Sequence, residues 1–261
     1  MTPTFAATLA LLGFAGAFVS GLVGVGGAIV MIPLLYYVPP LLGVGSLPMR
    51  EVSGVTMVQV LAASAVGAWT HGRHAAVHRG LALRGGMAMA VASLVGAVAS
   101  RQFSGHALLS VFALMATVAL PLLAVRPVAA DKSAPPSATA FSRTLAVGAL
   151  ALIGAASGLV GAGGAFLTVP VMIALLRLPV RLAIGTSLAV TVMSALTGVL
   201  GKALTAQIPL GPAGAVMLGS LVGARVGARV SRRIPVRVLR LVLAGLVALV
   251  AIRVWWDVLG R

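Results

Sequence analysis

The sequence predicts an all-α polytopic membrane protein made of two inverted repeats, and three observations carry that expectation. Of 261 residues, 60% are hydrophobic and only 8% charged, with a mean hydropathy of +1.13, a balance foreign to soluble domains. A Gly-rich motif and its flanks occur twice in the same order. Basic residues fall heavily on one side once each motif is treated as a helix break.

Apolar runs between basic or Pro-rich gaps give eight hydrophobic segments, at 5–38, 51–70, 81–100, 106–125, 143–176, 182–201, 211–228 and 236–256. Most match the ~20 residues that a crossing helix needs. The first run is too long for a cleaved signal peptide and reads as mature structure. The only long polar, Pro-rich stretch surrounds Asp131, Lys132 and Pro135. It divides the chain into a first membrane repeat (1–126), a linker (127–142) and a second membrane repeat (143–261).

The repeat is explicit. Gly21-Leu22-Val23-Gly24-Val25-Gly26-Gly27-Ala28, ending at Pro33, matches Gly158-Leu159-Val160-Gly161-Ala162-Gly163-Gly164-Ala165, ending at Pro170, with eight of 13 positions identical. Pro48-Met49-Arg50 and Gly54-Val55-Thr56 match Pro179-Val180-Arg181 and Gly185-Thr186-Ser187. Ser93-Leu94-Val95-Gly96-Ala97 matches Ser220-Leu221-Val222-Gly223-Ala224. The first segment of each half, 34 residues long, would make about 51 Å of straight helix against a ~30 Å hydrocarbon core. Clustered glycines near its middle weaken the helix by about 1 kcal/mol each. Each half is therefore expected to begin with a broken or re-entrant helix and to continue with three spans.

Charge tests that arrangement. If every segment crossed once, the two sides would hold 9 and 10 Lys or Arg, which is no bias. If the broken segments return, one side holds 14, among them Arg73, Arg126, Lys132, Arg181 and six arginines from Arg225 to Arg240, and the other five: Arg50, Arg101, Lys202, Arg253 and Arg261. The positive-inside rule then makes the repeats inverted, with the linker cytoplasmic.

The glycines are not a dinucleotide fingerprint, because no strand precedes them and no acid follows at ribose spacing. Two readings stay open: close helix packing, or a break whose freed amides face a mid-membrane cavity at the positive end of a half-helix. Duplication of the whole motif favours the second, which makes Gly24, Gly26, Gly27, Gly161, Gly163 and Gly164 candidate substrate-binding residues. On the next helix of each half, Thr56 and Gln59 share one face, and Thr186, Ser187 and Thr191 offer hydroxyls at similar depth. An amide such as that of Gln59 is costly in lipid and needs a partner or a cavity.

The paired Gly-rich helices ending in Pro33 and Pro170, followed by Gly185-Thr186-Ser187 and the weaker Gly54-Val55-Thr56, resemble the TauE/SafE sulfite exporters, also known as the toluenesulfonate-uptake permease family. The resemblance covers nearly the whole chain. It implies a carrier of sulfite, sulfonates or related sulfur anions in a bacterial inner membrane.

The remaining motifs are structural in expectation. Glu51 at a helix start fits a cap better than a proton-coupling group. His71, His74 and His78 lack a further ligand to make a metal site. Gly219, Gly223 and Gly227 form a packing ladder, echoed by Ala92, Gly96 and Ser100, and Trp255 and Trp256 an interfacial belt. With three acids and no cysteine, neither an enzyme nor a cofactor or metal is expected. The basic residues read as topology signals and lipid contacts, not as a nucleic-acid surface. An exporter of a sulfur anion leads; an anion channel and a proton- or sodium-coupled uptake permease are the alternatives, and a homodimer is left open.

Overall fold

The computed structural model describes residues 1–23, 27–72, 77–124, 142–231, 234 and 236–260. Linker residues 127–141, Gly24 and Gly26 lie outside that set. The described residues contain helices and no strand. In chain order they are α1 (Pro3–Val23), α2 (Ala28–Leu41), α3 (Met49–Gly72), α4 (Arg79–Ala99), α5 (Gly105–Ala124), α6 (Arg143–Val160), α7 (Ala165–Ala174), α8 (Val180–Leu204), α9 (Leu210–Ser231) and α10 (Val236–Leu259), with a 3-10 turn at Ser100–Gln102.

Each expected apolar segment is helical, and the two long ones are each divided at the glycines. Among the described residues, six helices are long and apolar enough to cross a membrane; Ala28–Leu41, Thr144–Val160 and Ala165–Ala174 are apolar but shorter. The breaks have a backbone cause. Gly27 (φ 69°) and Gly164 (φ 75°) stand before α2 and α7 in the left-handed conformation, where a Cβ is disfavoured. Gly161 and Gly163 share it, with φ 80° and 60°.

At each break the chain lies against the helix that precedes it. A Cβ at Gly27 would meet Ser20, and one at Gly16 would meet Met31; a Cβ at Gly164 would meet Ile153 and Ser157. Gly45, beyond α2, lies against the Phe5 ring near the start of α1.

The two halves interlock. α1 packs chiefly on α9 and α4 on α6, while α3 pairs with α8 and α5 with α10. Exchanging the halves maps each of these pairings onto another or onto itself. The glycine ladder makes the α1–α9 contact possible: Cβ atoms at Gly219, Gly223 and Gly227 would strike the carbonyls of Ala10, Phe14 and Phe18. Gly96 meets the Ala155 carbonyl in the same way between α4 and α6.

Contacts gather the helix ends into two groups. Gly211 lies near Met1, the Arg50 guanidinium donates to the Phe103 carbonyl at 2.9 and 3.1 Å, and His106 Nε2 lies 3.1 Å from the Val258 carbonyl. At other helix ends, the His78 amide donates to Thr186 Oγ1 at 3.0 Å and the Ser231 hydroxyl to the Leu22 carbonyl at 2.5 Å.

Candidate functional site

Polar side chains inside this apolar bundle are costly unless hydrogen-bonded, and helical Ser and Thr usually return their proton to a carbonyl one turn back. Thr168 does so to Gly164 at 2.8 Å, Thr205 to Gly201 at 2.8 Å and Thr117 to Ala113 at 2.9 Å. One group does not. The hydroxyls of Ser53, Thr56, Thr191 and Ser194 and both amide atoms of Gln59 are buried without a hydrogen-bond partner.

These five residues have 0% exposure and come from the two helices that pair across the repeats. Ser53, Thr56 and Gln59 recur every three residues along one side of α3, and Thr191 and Ser194 follow the same spacing on α8. An orphaned buried donor or acceptor costs about 1–3 kcal/mol, so five together mark a place built for something other than stability.

The second Gly-rich turn lies against this row. A Cβ at Gly161 would strike the Ser53 backbone; one at Gly163 would touch Val60 and, at 3.7 Å, Thr191. The turn thus reaches α3 at one end of the row and both α3 and α8 further along it. It ends in Gly164, which gives α7 no side-chain cap. The first amides of a helix have no partner within it, and this end carries partial positive charge. Hydroxyls, a carboxamide and a helix N-terminus form a donor set suited to the oxygens of an anion.

Of the sequence-predicted residues, Thr56, Gln59, Thr191, Gly161 and Gly163 come together here, while Gly164 packs on Met89, Ile153 and Ser157. Ser187, one turn before Thr191, is buried as well, at 1% exposure. Thr186 Oγ1 accepts the His78 amide at the start of α4 at 3.0 Å. Gly27 lies at the other break, packed against Ser20. Glu51 occupies the first turn of α3 and is partly exposed.

His78 Nδ1 accepts the Leu81 amide at 3.1 Å as the N-cap of α4. His74 and the His71 side chain lie outside the described residues, among which no metal-holding cluster occurs. Trp255 Nε1 donates to Thr117 Oγ1 at 2.9 Å, and Trp256 is exposed.

Sequence reasoning missed Ser53 and Ser194, because a serine in an apolar helix gives no sign of whether its proton goes back to a carbonyl. It also counted Lys202 as a loop charge. The Lys202 side chain is fully buried near the end of α8, bonded to Ser100, Leu159 and Gln207.

The family model for the sulfite exporter TauE/SafE matches residues 9–254, nearly the whole bundle. The chain belongs to the TauE/SafE family. This TauE/SafE chain is also similar to a "Probable membrane transporter protein" of Xylella fastidiosa (strain 9a5c), with 32% identity over 172 residues. That match covers 66% of this chain and 64% of the relative, so less than two thirds of the relative's length is spanned. No solved structure matches the chain. Family membership and the six membrane-capable helices among the described residues make it a multi-pass membrane protein of a transporter family.

Proposed function

We propose that this TauE/SafE chain is a secondary carrier exporting a small sulfur-containing anion of the sulfite or organosulfonate class, and that the anion binds between α3 and α8. The observation that carries this reading is the set of unpartnered atoms on Ser53, Thr56, Gln59, Thr191 and Ser194 beside the α6–α7 turn. Each hydroxyl can give one proton and the Gln59 amide two, so the row can surround a compact oxyanion without a metal. The family description, which names sulfite, supports the substrate class.

The carrier is built from inverted repeats, residues 1–126 and 143–261. Supporting this, α1 and α2 form a hairpin whose ends, at Phe5 and Gly45, lie together. Three further crossings, α3 to α5, then carry the second half to the opposite side, so that it starts inverted. The same count puts five Lys or Arg on the side of Met1 and 14 on the other. In this reading the glycine breaks are membrane-buried turns, and the two halves rock against each other around the α3–α8 site.

Purified protein in proteoliposomes should exchange labelled sulfite in counterflow against members of a panel of sulfite, thiosulfate, sulfoacetate, taurine and sulfate. A preparation that is folded yet moves no sulfur anion would remove the reading. Electrical current far above carrier turnover would replace it with a channel.

A further inference from the structure

Among the side chains whose burial is described, Lys202 is the single charged one fully withdrawn from the surface. Its ammonium donates to Ser100 Oγ at 2.7 Å, to the Leu159 carbonyl at 3.0 Å and to Gln207 Oε1 at 3.1 Å. Gln207 Nε2 in turn donates to Thr205 Oγ1 at 2.7 Å. Three acceptors match the three protons of an ammonium, and Leu159 belongs to the last turn of α6, where a cation is favourable. That explains why the side chain holds α6 to α8. In the protonated form that these three acceptors match, the charge is left uncancelled, because every one of these partners is neutral. In apolar surroundings an uncancelled charge reaches further than in water.

The partners show where it reaches. Leu159 precedes by two residues Gly161, whose Cα packs on Ser53. The Gln207 backbone carbonyl lies against Gly54, next to Ser53 on α3. Both segments clamped by the ammonium therefore touch the Ser53 end of the unpartnered row.

We propose that Lys202 is the fixed positive charge of the anion path, attracting the anion through space at the Ser53 end of the α3–α8 site while its own protons stay on Ser100, Leu159 and Gln207. The inference rests on the carrier reading above and deepens it. In the repeat register that sets Gly54 on Gly185, position 202 corresponds to His71. The attraction is thus one-sided: the arginine-rich half of the path has neither lysine nor arginine at the matching place.

A through-space charge has a signature that a clamp lacks, because its effect scales with the charge of the ligand. At a separation of about 10 Å and an effective dielectric of about 20, one charge is worth about an order of magnitude in affinity for a monoanion, and that factor is squared for a dianion. Counterflow of labelled sulfite should be competed with methanesulfonate, which is monovalent, and thiosulfate, which is divalent. Lys202→Gln should raise the inhibitory concentration about tenfold for methanesulfonate and about a hundredfold for thiosulfate, whereas Lys202→Arg should stay within about threefold for both.

Gln207→Glu provides the second variant, needed where Lys202→Gln fails to fold. It keeps an acceptor for the ammonium and cancels its field, so a clamp would be preserved while the preference for the divalent competitor is lost. Equal changes for both competitors, or an unchanged ratio in Gln207→Glu, would overturn the inference alone. Wild-type protein that moves no sulfite would overturn the carrier reading and this inference with it.

Discussion

Gln59 presents two donors and a carbonyl oxygen to surroundings that answer neither. A folded protein tolerates such a side chain at a cost of about 1–3 kcal/mol, which a ligand can recover. Gln59→Leu should therefore unfold at the same temperature as wild type or a few degrees higher, while the half-saturating sulfite concentration rises tenfold or more. Thermal unfolding in detergent paired with counterflow tests this, and a variant that loses folding but keeps affinity contradicts it. At this scale the sequence was informative where chemistry and surroundings clash. Gln59, Thr56 and Thr191 are polar amid lipid-grade neighbours, and they proved unpartnered. Thr186 is polar in the same way, yet its oxygen serves the His78 amide across the repeat, a contact between residues 108 positions apart that no local pattern announces.

Among the elements, the pairing of α1 with α9 depends on three glycines along one face. A larger side chain at the middle of that face meets main chain, which has nowhere to move: a Cβ at Gly223 would collide with the Phe14 carbonyl. Gly223→Leu should abolish recovery of monodisperse protein. Gly214 sits on the same helix with nothing within 4 Å of a would-be Cβ. Gly214→Ala should leave yield unchanged and add about 0.5–1 kcal/mol, because alanine loses less backbone freedom in a helix. Equal behaviour of the two variants in size-exclusion chromatography would refute the packing argument. Substitutions at the breaks act on two properties at once. Valine at Gly27 or Gly164 would obstruct the turn, but a positive φ and the nearby Ser20 or Ser157 mean that it also strains the fold. The smaller change at Gln59 is the cleaner probe of the site.

For the whole molecule, the proposed inversion of the halves puts the linker and the end of α9 on the same face. In this cysteine-free chain, single cysteines at Ser137 and Ser231 should both be labelled from the cytoplasm. Labelling of the two from opposite faces would eliminate the inverted arrangement. The same arrangement bears on energetics. The chain has three acids, of which Glu51 is the one at a helix start beside the bundle, so no carboxylate pair is available to couple protons. Membrane potential is sufficient for export: one elementary charge across 100 mV is worth about 2.3 kcal/mol, roughly a fiftyfold gradient for a monoanion. Efflux from proteoliposomes should follow the sign of a valinomycin-set potassium potential without a pH gradient, and Glu51→Gln should retain most of it. Efflux indifferent to that sign but dependent on protons or sodium would show coupling instead.

Helix content, the number of apolar segments, the place of both breaks and the duplication were determined by the sequence itself. Each depends on local composition or spacing: apolar length sets a span, and glycines that tolerate positive φ set a break. The tertiary structure decided which polar groups find partners. Ser53 and Ser194 became part of the candidate site, Thr186 became a contact for α4, and Lys202 moved from loop charge to buried cation. The reason is that hydrogen-bond satisfaction and electric field depend on neighbours brought in by packing. Ser100 and Leu159 reach Lys202 from the 3-10 turn after α4 and from α6, segments far away in the chain, and a linear pattern carries no record of that meeting.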